Sequence, residues 1–293
     1  MPWMVPAPTP PQWANVVHVN SWLHTRFIPP SLPLVVTLHG CTHDPVFEPY
    51  KSTLQRWYHR LWIKRLELAT IRRANTTTAV SHYTTRQAAI TFSHQNIIPI
   101  HNWIDTSAFY PNHREKPDSP FRLLFVGSLS TRKGADLLPE IMNRLGDGFE
   151  LRYTGDYKMF KDSILLPKNM FSLGHLNGTR ELVAAYHKCD ALLFPSRLEG
   201  FGLVAAEAMA CGRPVIASNS TALPEVVIDG ETGFLCPTND IGAFVEAIRS
   251  LRDNPNRWQI MRYNSIHYTR TKFSEETQVQ QYLDIYRDVA GCN

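Results

Sequence analysis

The 293-residue sequence lacks the features that mark disulfide-rich, zinc-binding, secreted and membrane-spanning proteins. Its five cysteines are odd in number and form no Cys-x-x-Cys pair, which argues against a disulfide framework or zinc site and suits a reducing compartment. No apolar run approaches the roughly 18–20 residues needed to span a bilayer, and the proline-rich N-terminus lacks the order of a signal peptide. We therefore expect a cytoplasmic protein. The cysteines are Cys41, Cys189, Cys211, Cys236 and Cys292.

The net charge is also small: at +4 it is too low to indicate a nucleic-acid partner. It is unevenly distributed, however, because the segment 51–73 carries seven basic residues and one acid, Glu67. Three basic residues four positions apart should form one stripe on a helix: Arg56, Arg60 and Lys64. Large apolar residues lie beside it: Trp57, Tyr58, Leu61, Trp62 and Leu68. Two interpretations stay open, a helix resting on the anionic inner face of a membrane and a core-packed helix whose solvated face is basic.

Short apolar runs alternate with helical patterns along the whole chain, which predicts an α/β fold with parallel sheets covered by helices. In the first part we predict strands at Val16–Asn20, Leu34–Leu38, Thr76–Val80 and Ile97–Ile100, and helices at Tyr50–Ala74 and Thr84–Phe92. The polar, proline-rich segment Pro111–Pro120 is typical of an interdomain linker.

Six further strands and five helices are predicted after this segment, enough for a complete Rossmann-like domain. The strands are Arg122–Val126, Glu150–Thr154, Met170–Leu173, Ala191–Pro195, Pro214–Ala217 and Gly233–Cys236. The helices are Ala135–Leu145, Thr179–Cys189, Leu203–Ala210, Ile241–Arg252 and a final one at Glu275–Ala290.

The most informative motif is Glu199-Gly-Phe-Gly-Leu-Val-Ala-Ala-Glu207, in which two carboxylates flank a Gly-Phe-Gly turn. The turn opens a predicted helix, where unpaired backbone N–H groups favour an anion. Glycine at 200 and 202 lets the backbone approach a phosphate closely, since no Cβ intervenes. One carboxylate lies before the helix and the other about one turn into it, an arrangement suited to a nucleotide diphosphate sugar.

With its surroundings, from Phe194-Pro-Ser-Arg to Cys211-Gly-Arg-Pro-Val-Ile-Ala, the motif resembles the E-x7-E signature of retaining glycosyltransferase family 4, the glycosyl transferases group 1. The resemblance runs from about Asn15 to the C-terminus and implies the GT-B fold of two Rossmann-like domains. The corresponding domains are an incomplete N-terminal, acceptor-side domain at 1–116, a nucleotide-sugar-binding domain at 117–273, and a helix at 274–293 that packs toward the first domain. About three strand–helix units of the family's first domain would precede Val16.

The resemblance also implies roles for the motif. Glu207 would accept hydrogen bonds from the ribose hydroxyls, and Glu199 would hold hydroxyls of the donor sugar. The turn and the start of the helix would bind the donor through Gly200, Phe201, Gly202 and Leu203. A UDP- or GDP-sugar is the expected donor, a glycan or lipid-linked hydroxyl is the expected acceptor, and no cofactor or obligatory metal is expected.

A second implied element is the loop Phe125-Val-Gly-Ser-Leu-Ser-Thr-Arg-Lys-Gly134. Lys133 would bring positive charge to the diphosphate, with Arg132 as helper, because a leaving nucleoside diphosphate develops negative charge. Gly127 and Ser128 would lie beside the donor, although many family members have arginine where this chain has Ser128. A solvated turn lysine is the plain alternative.

Two further positions follow from the same resemblance. His39, in Thr37-Leu-His-Gly40 at the end of a predicted strand, would contact the donor sugar near its reacting carbon. The alternative is a histidine that satisfies strand-end backbone groups, and His43 and Asp44 in the same loop are weaker candidates. The nucleobase would bind near Leu173-Gly-His-Leu176. In the interdomain segment, this chain has Asn102-Trp103 where the family often has an Asn-Gly pair.

Paired carboxylates also invite a glycosidase interpretation, but a Gly-Phe-Gly turn between them suits an anion better than an open cleft. Two alternatives to an active transferase stay open. In the first, the chain is a nucleotide-sugar-binding module or an inactive remnant of a transferase. In the second, a separate polypeptide supplies the missing N-terminal strands. In the last case, Val16–Asn20 would be an apolar edge strand that needs pairing.

Overall fold

The computed structural model describes residue 6 and residues 8–155 and 166–291. The chain divides into two compact units, one formed by Met1–Asn102 with Glu276–Asn293 and the other by Trp103–Glu275. Cys41, Cys189, Cys211 and Cys236 are free thiols, and Cys292 lies outside the described residues. None of the described helices combines the length and apolar character that crossing a bilayer requires.

The first unit contains a parallel four-stranded sheet in the order β1-β2-β3-β4. Its strands are β1 Val17–Asn20, β2 Leu34–Leu38, β3 Thr76–Ala79 and β4 Ile97–Pro99, within one residue of the predicted ends. β2 is buried along its whole length, whereas β1, at the edge, alternates between half-buried and exposed positions. β-branched residues dominate these strands, as is typical of parallel sheets.

One long helical segment follows β2, as α1 Thr53–Tyr58, a π-helical turn His59–Ile63 and α2 Lys64–Arg73. A capping box starts it, with Ser52 accepting from the Gln55 backbone and Gln55 accepting from the Ser52 backbone. The other helices of this unit are α3 His82–Phe92, which Ser81 caps, and α10 Glu275–Ala290, the C-terminal helix.

The second unit contains a parallel six-stranded sheet in the order β10-β9-β8-β5-β6-β7. The strands are β5 Phe121–Phe125, β6 Phe149–Tyr153, β7 Met170–Ser172, β8 Ala191–Phe194, β9 Val215–Ser218 and β10 Gly233–Cys236. The helices are α4 Leu138–Leu145, α5 Thr179–His187, α6 Leu203–Ala210, α7 Leu223–Val226, α8 Ile241–Asp253 and α9 Pro255–Lys272. Numbered within the unit, the order is 3-2-1-4-5-6, the Rossmann arrangement, so the predicted α/β fold with two parallel sheets is confirmed.

The segment Pro111–Pro120, expected to be a linker, packs on the second unit instead. The fully buried carboxylate of Asp190 accepts a hydrogen bond of 2.5 Å from Arg114 Nη2. It also accepts from the backbone N–H groups of Asp118 at 3.0 Å and Arg122 at 2.7 Å. A buried carboxylate needs such partners, which a polar, proline-rich composition does not reveal.

The strand order reverses between β5 and β8, and parallel sheets place their ligands at such a switch point. The loops that leave these strands touch at Gly134, which adopts a φ of +73°. A Cβ built there would lie 2.1 Å from the carbonyl oxygen of Pro195, so only glycine allows this approach. The loop after β5 therefore packs directly against the backbone at the end of β8.

We expect Gly134→Ala to destabilise the second unit more than Gly230→Ala, because Gly230 has a similar φ of +77° but open space around its Cβ position. The control substitution should cost about 1 kcal/mol, from the left-handed conformation alone. Gly134→Ala should cost at least about 2 kcal/mol more, because backbone must also move. Urea unfolding of both variants measures the difference, and equal losses would contradict the close approach.

Candidate functional site

An ion pair joins the two loops at the switch point. Lys133, from the loop after β5, donates from Nζ to Glu199 Oε1, from the loop after β8, at 2.6 Å. The Lys133 and Glu199 side chains are only 15% and 11% exposed. Ser196 donates to the same carboxylate oxygen at 2.6 Å, and Thr221 Oγ1 accepts from the Glu199 backbone N–H at 3.0 Å. A cation and a carboxylate predicted to serve the donor therefore lie side by side.

An aromatic contact between Phe201 and Phe273 stabilises the turn after Glu199. Phe201 is buried and packs edge-on against Phe273, with ring centroids 5.2 Å apart. Gly202, at a φ of +109°, leads into α6, which begins without a side-chain cap. Leu203 follows as the first residue of the helix and is 44% exposed. Because a helix N-terminus carries partial positive charge, this turn presents a favourable end for an anion.

Arg197 fixes the Lys133 loop to the Glu199 loop, a role that the sequence reasoning missed. Its guanidinium is buried and forms a two-pronged pair with Asp136, at 2.6 and 2.8 Å. It also donates to Asn239 Oδ1 at 2.6 Å and to the carbonyl of Thr131. The available signal was an arginine two residues before Glu199, together with an acid, Asp136, three residues after Lys133.

Glu207, one turn into α6, lies in a largely apolar helix and is only half-buried itself. The Tyr186 hydroxyl donates to Glu207 Oε2 at 3.0 Å and lies 3.2 Å from the carbonyl of Val204. Burial raises the pKa of Glu207 to about 7, and the hydrogen bond from Tyr186 opposes this only in part. Small pH changes near neutrality therefore change the charge of this carboxylate. Tyr186 was not among the predicted site residues.

A cavity of about 750 Å³ opens where β5, β6 and β7 end. Three of the predicted donor-binding residues line it: Gly127, Ser128 and Leu176. Their companions are mostly apolar or glycine, including Leu129 and Leu182, so a flat ring would find apolar walls there. The cavity adjoins the ion pair, because a Cβ built at Gly127 would lie 3.8 Å from Lys133 Cδ.

Several predicted groups are engaged within the protein. The Gly127 N–H donates to Thr154 Oγ1 at 2.9 Å, and the Ser128 hydroxyl lies 3.2 Å from that of Ser130. Arg132 donates from Nη1 to the carbonyl of Leu198 at 3.1 Å, so it braces the loop that carries Glu199. These contacts favour a positioning role for Arg132 over direct contact with a ligand.

His39 belongs to the first unit, directly after β2, at the carboxyl end of its sheet. The side chain reaches solvent, yet the surrounding protein partly desolvates it and lowers its pKa from 6.5. His43 instead contacts Glu67, with Nε2 3.0 Å from Oε2. Asp44 accepts from the Val46 backbone at 2.8 Å. Both weaker candidates thus have partners within the protein.

Comparison with known proteins gives two family matches. The model described as "Glycosyl transferases group 1" matches residues 107–268, and "Glycosyltransferase Family 4" matches residues 12–108. An uncharacterized glycosyltransferase of Methanocaldococcus jannaschii is 31% identical over 264 residues, covering 89% of this chain and 70% of the relative. A glycogen synthase of Mycobacterium tuberculosis is 36% identical over 170 residues, which cover 54% of this chain and 40% of that enzyme.

Solved structures agree on the fold. Sucrose-phosphate synthase from Thermosynechococcus elongatus superposes with a TM-score of 0.80 at 23% identity, covering 95% of this chain and 74% of that one. Anabaena HepE in complex with UDP and glucose has a TM-score of 0.73 at 19% identity, covering 88% and 72%. The group 1 match spans more than half of the chain, and the matched range, residues 107–268, includes both members of the Lys133–Glu199 pair described above. The chain therefore belongs to the glycosyl transferases group 1 family and has the GT-B fold.

Proposed function

We propose that this protein transfers a sugar from a nucleoside diphosphate sugar to an acceptor hydroxyl, with retention at the anomeric carbon. The observation that carries the proposal is the Lys133–Glu199 pair, which lies at the switch point beside the Gly200–Gly202 turn. A cation, a helix N-terminus and a carboxylate meet there within one small region. This combination matches a ligand that is anionic at one end and hydroxylated at the other.

Each part of the donor has a complementary group in the second unit. The nucleobase enters the apolar cavity lined by Gly127 and Leu176. The ribose diol donates to Glu207, for which a carboxylate with two oxygens is suited. The diphosphate lies against Lys133 and the start of α6, and the sugar hydroxyls donate to Glu199. HepE, a protein with the same fold, was solved with UDP and glucose bound, which supports this class of donor.

The chemistry follows from charge placement. Transfer breaks the bond between the anomeric carbon and the diphosphate oxygen and forms one to the acceptor oxygen on the same face. The acceptor proton passes to the leaving oxygen. Negative charge grows on the diphosphate as the bond breaks, and Lys133 and the α6 N-terminus are already in place to stabilise it. We therefore propose that no metal is required, and that His39 contacts the sugar near its reacting carbon.

Nucleotide binding tests the donor site first. Calorimetry with UDP, GDP and ADP should detect binding of at least one, and Glu207→Gln should weaken it at least about tenfold, or about 1.4 kcal/mol, because the amide is a poorer acceptor for the diol. Glu246→Gln, an exposed carboxylate on α8, is the matched control and should bind like the unmodified protein. Unchanged affinity in Glu207→Gln would remove the ribose assignment.

The same experiment has a pH dependence with a defined sign. Burial raises the pKa of Glu207 to about 7, and the diol binds the ionised form, so affinity should rise from pH 6 to pH 8. The expected increase is about five- to tenfold, since only about a tenth of a group with this pKa is ionised one pH unit below it. Glu207→Gln corrects for titration of the phosphates and should lack this additional increase.

Release of nucleoside diphosphate from the bound sugar nucleotide tests catalysis without knowledge of the acceptor. Lys133→Met should lower the turnover number for donor hydrolysis about 100- to 1,000-fold, because the leaving charge loses its cation. Lys116→Met, which removes an exposed lysine, should have no effect. Addition of a chelator should leave the rate unchanged. Donor binding without hydrolysis or transfer would favour the binding-module alternative instead.

A further inference from the structure

The beginning of the helical segment Thr53–Arg73 turns its large apolar side chains to solvent. Leu54 is 80% exposed, Trp57 60%, Tyr58 52%, Leu61 48% and Trp62 46%. These positions follow i, i+3, i+4, i+7 and i+8 spacing, so they form one stripe, which we call the aromatic stripe. Such a stripe normally faces a protein core. An exposed apolar stripe of this kind is typical of a surface that binds a partner.

The charges around the aromatic stripe have one sign. Glu67 is the acid of the segment, and it is fully buried, where Ser21 donates to it at 2.9 Å and His43 contacts it at 3.0 Å. Every exposed charged residue of the segment is basic: Arg56, Arg60, Lys64, Arg65 and Arg72. Within the segment the stripe is therefore flanked by cations, and the nearby carboxylate of Glu48 lies 3.8 Å from Arg56, so the balance favours an anionic partner.

A cationic pocket lies against the same helix. It has a volume of about 610 Å³, and Lys51, Arg56, Arg60 and Lys64 line it against one carboxylate, Glu48. That carboxylate is already engaged, since Lys51 Nζ donates to it at 2.5 Å. His59 also lines the pocket, and its Nδ1 is buried without a hydrogen-bond partner among the residues that the structure describes. An incoming phosphate group would find several donors and little opposing charge.

We propose that this helix docks on the surface of an anionic phospholipid bilayer, with the aromatic stripe in the headgroup region and a lipid phosphate in the cationic pocket. Tryptophan and tyrosine favour that region because one edge is apolar and the other polar, and basic side chains add attraction to anionic lipid. A second copy of the chain fits less well. In a two-fold dimer the patch meets itself, and cations would face cations.

Co-sedimentation with vesicles tests the proposal, using phosphatidylcholine alone or with about 30% phosphatidylglycerol. The protein should bind the anionic vesicles at least about tenfold more strongly, and binding should weaken about tenfold between about 0.1 and 0.5 M salt. The double variants Trp57→Ser/Trp62→Ser and Arg60→Glu/Lys64→Glu should each reduce binding at least tenfold.

The matched controls are Tyr263→Ser and Arg270→Glu, at exposed positions of α9 in the second unit, and both should bind like the unmodified protein. Equal binding to neutral and anionic vesicles, no binding, or equal losses in the controls would overturn the proposal. So would a dimer in sedimentation velocity that only Trp57→Ser/Trp62→Ser dissociates. Donor hydrolysis without vesicles should persist in all variants, so failure here is distinguishable from failure of the proposed transferase activity.

Discussion

The close approach of two loops at the reversal of strand order is the constraint on which the candidate site depends. The connections that leave two adjacent parallel strands run in opposite directions at a switch point, which leaves a crevice at the carboxyl ends of those strands. Gly134 lets one loop reach the end of β8, and Arg197 then bonds both loops through Asp136 and the Thr131 carbonyl. Because these contacts fix the backbone on both sides, Lys133 and Glu199 meet at 2.6 Å.

The two carboxylates of the motif have different surroundings and can therefore perform different tasks. Glu199 lies against a cation and a serine hydroxyl, which compensate its negative charge. Glu207 has a neutral tyrosine hydroxyl as partner in an apolar setting, and its pKa rises to about 7. Neighbouring carboxylates in contrasting environments are a general way to separate roles within one site.

The alternation of apolar runs and helical patterns predicted every strand within about one residue, because a buried parallel strand requires such a run.

The helix α9 had no comparable signal. Its buried face includes two polar residues: the Ser265 hydroxyl donates to the carbonyl of Thr232, and the Thr269 hydroxyl donates to the carbonyl of Ser265. By contrast, the apolar Ile260 and Tyr263 are exposed. Propensity and periodicity cannot reveal polar residues that a neighbouring backbone satisfies. The role of Arg197 was hidden for another reason, since its side-chain partners Asp136 and Asn239 are distant in the chain.

Local sequence determined which segments become strands and helices and placed glycines and carboxylates in one short motif, since backbone preference and apolar periodicity act over a few residues. Only the tertiary structure decided which side chains meet: Lys133 with Glu199, Tyr186 with Glu207, and Arg197 with Asp136. It also decided that the apolar side chains around Trp57 face solvent. The physical reason is that pairing and burial depend on elements far apart in the chain, whose positions the packing of the whole sheet sets.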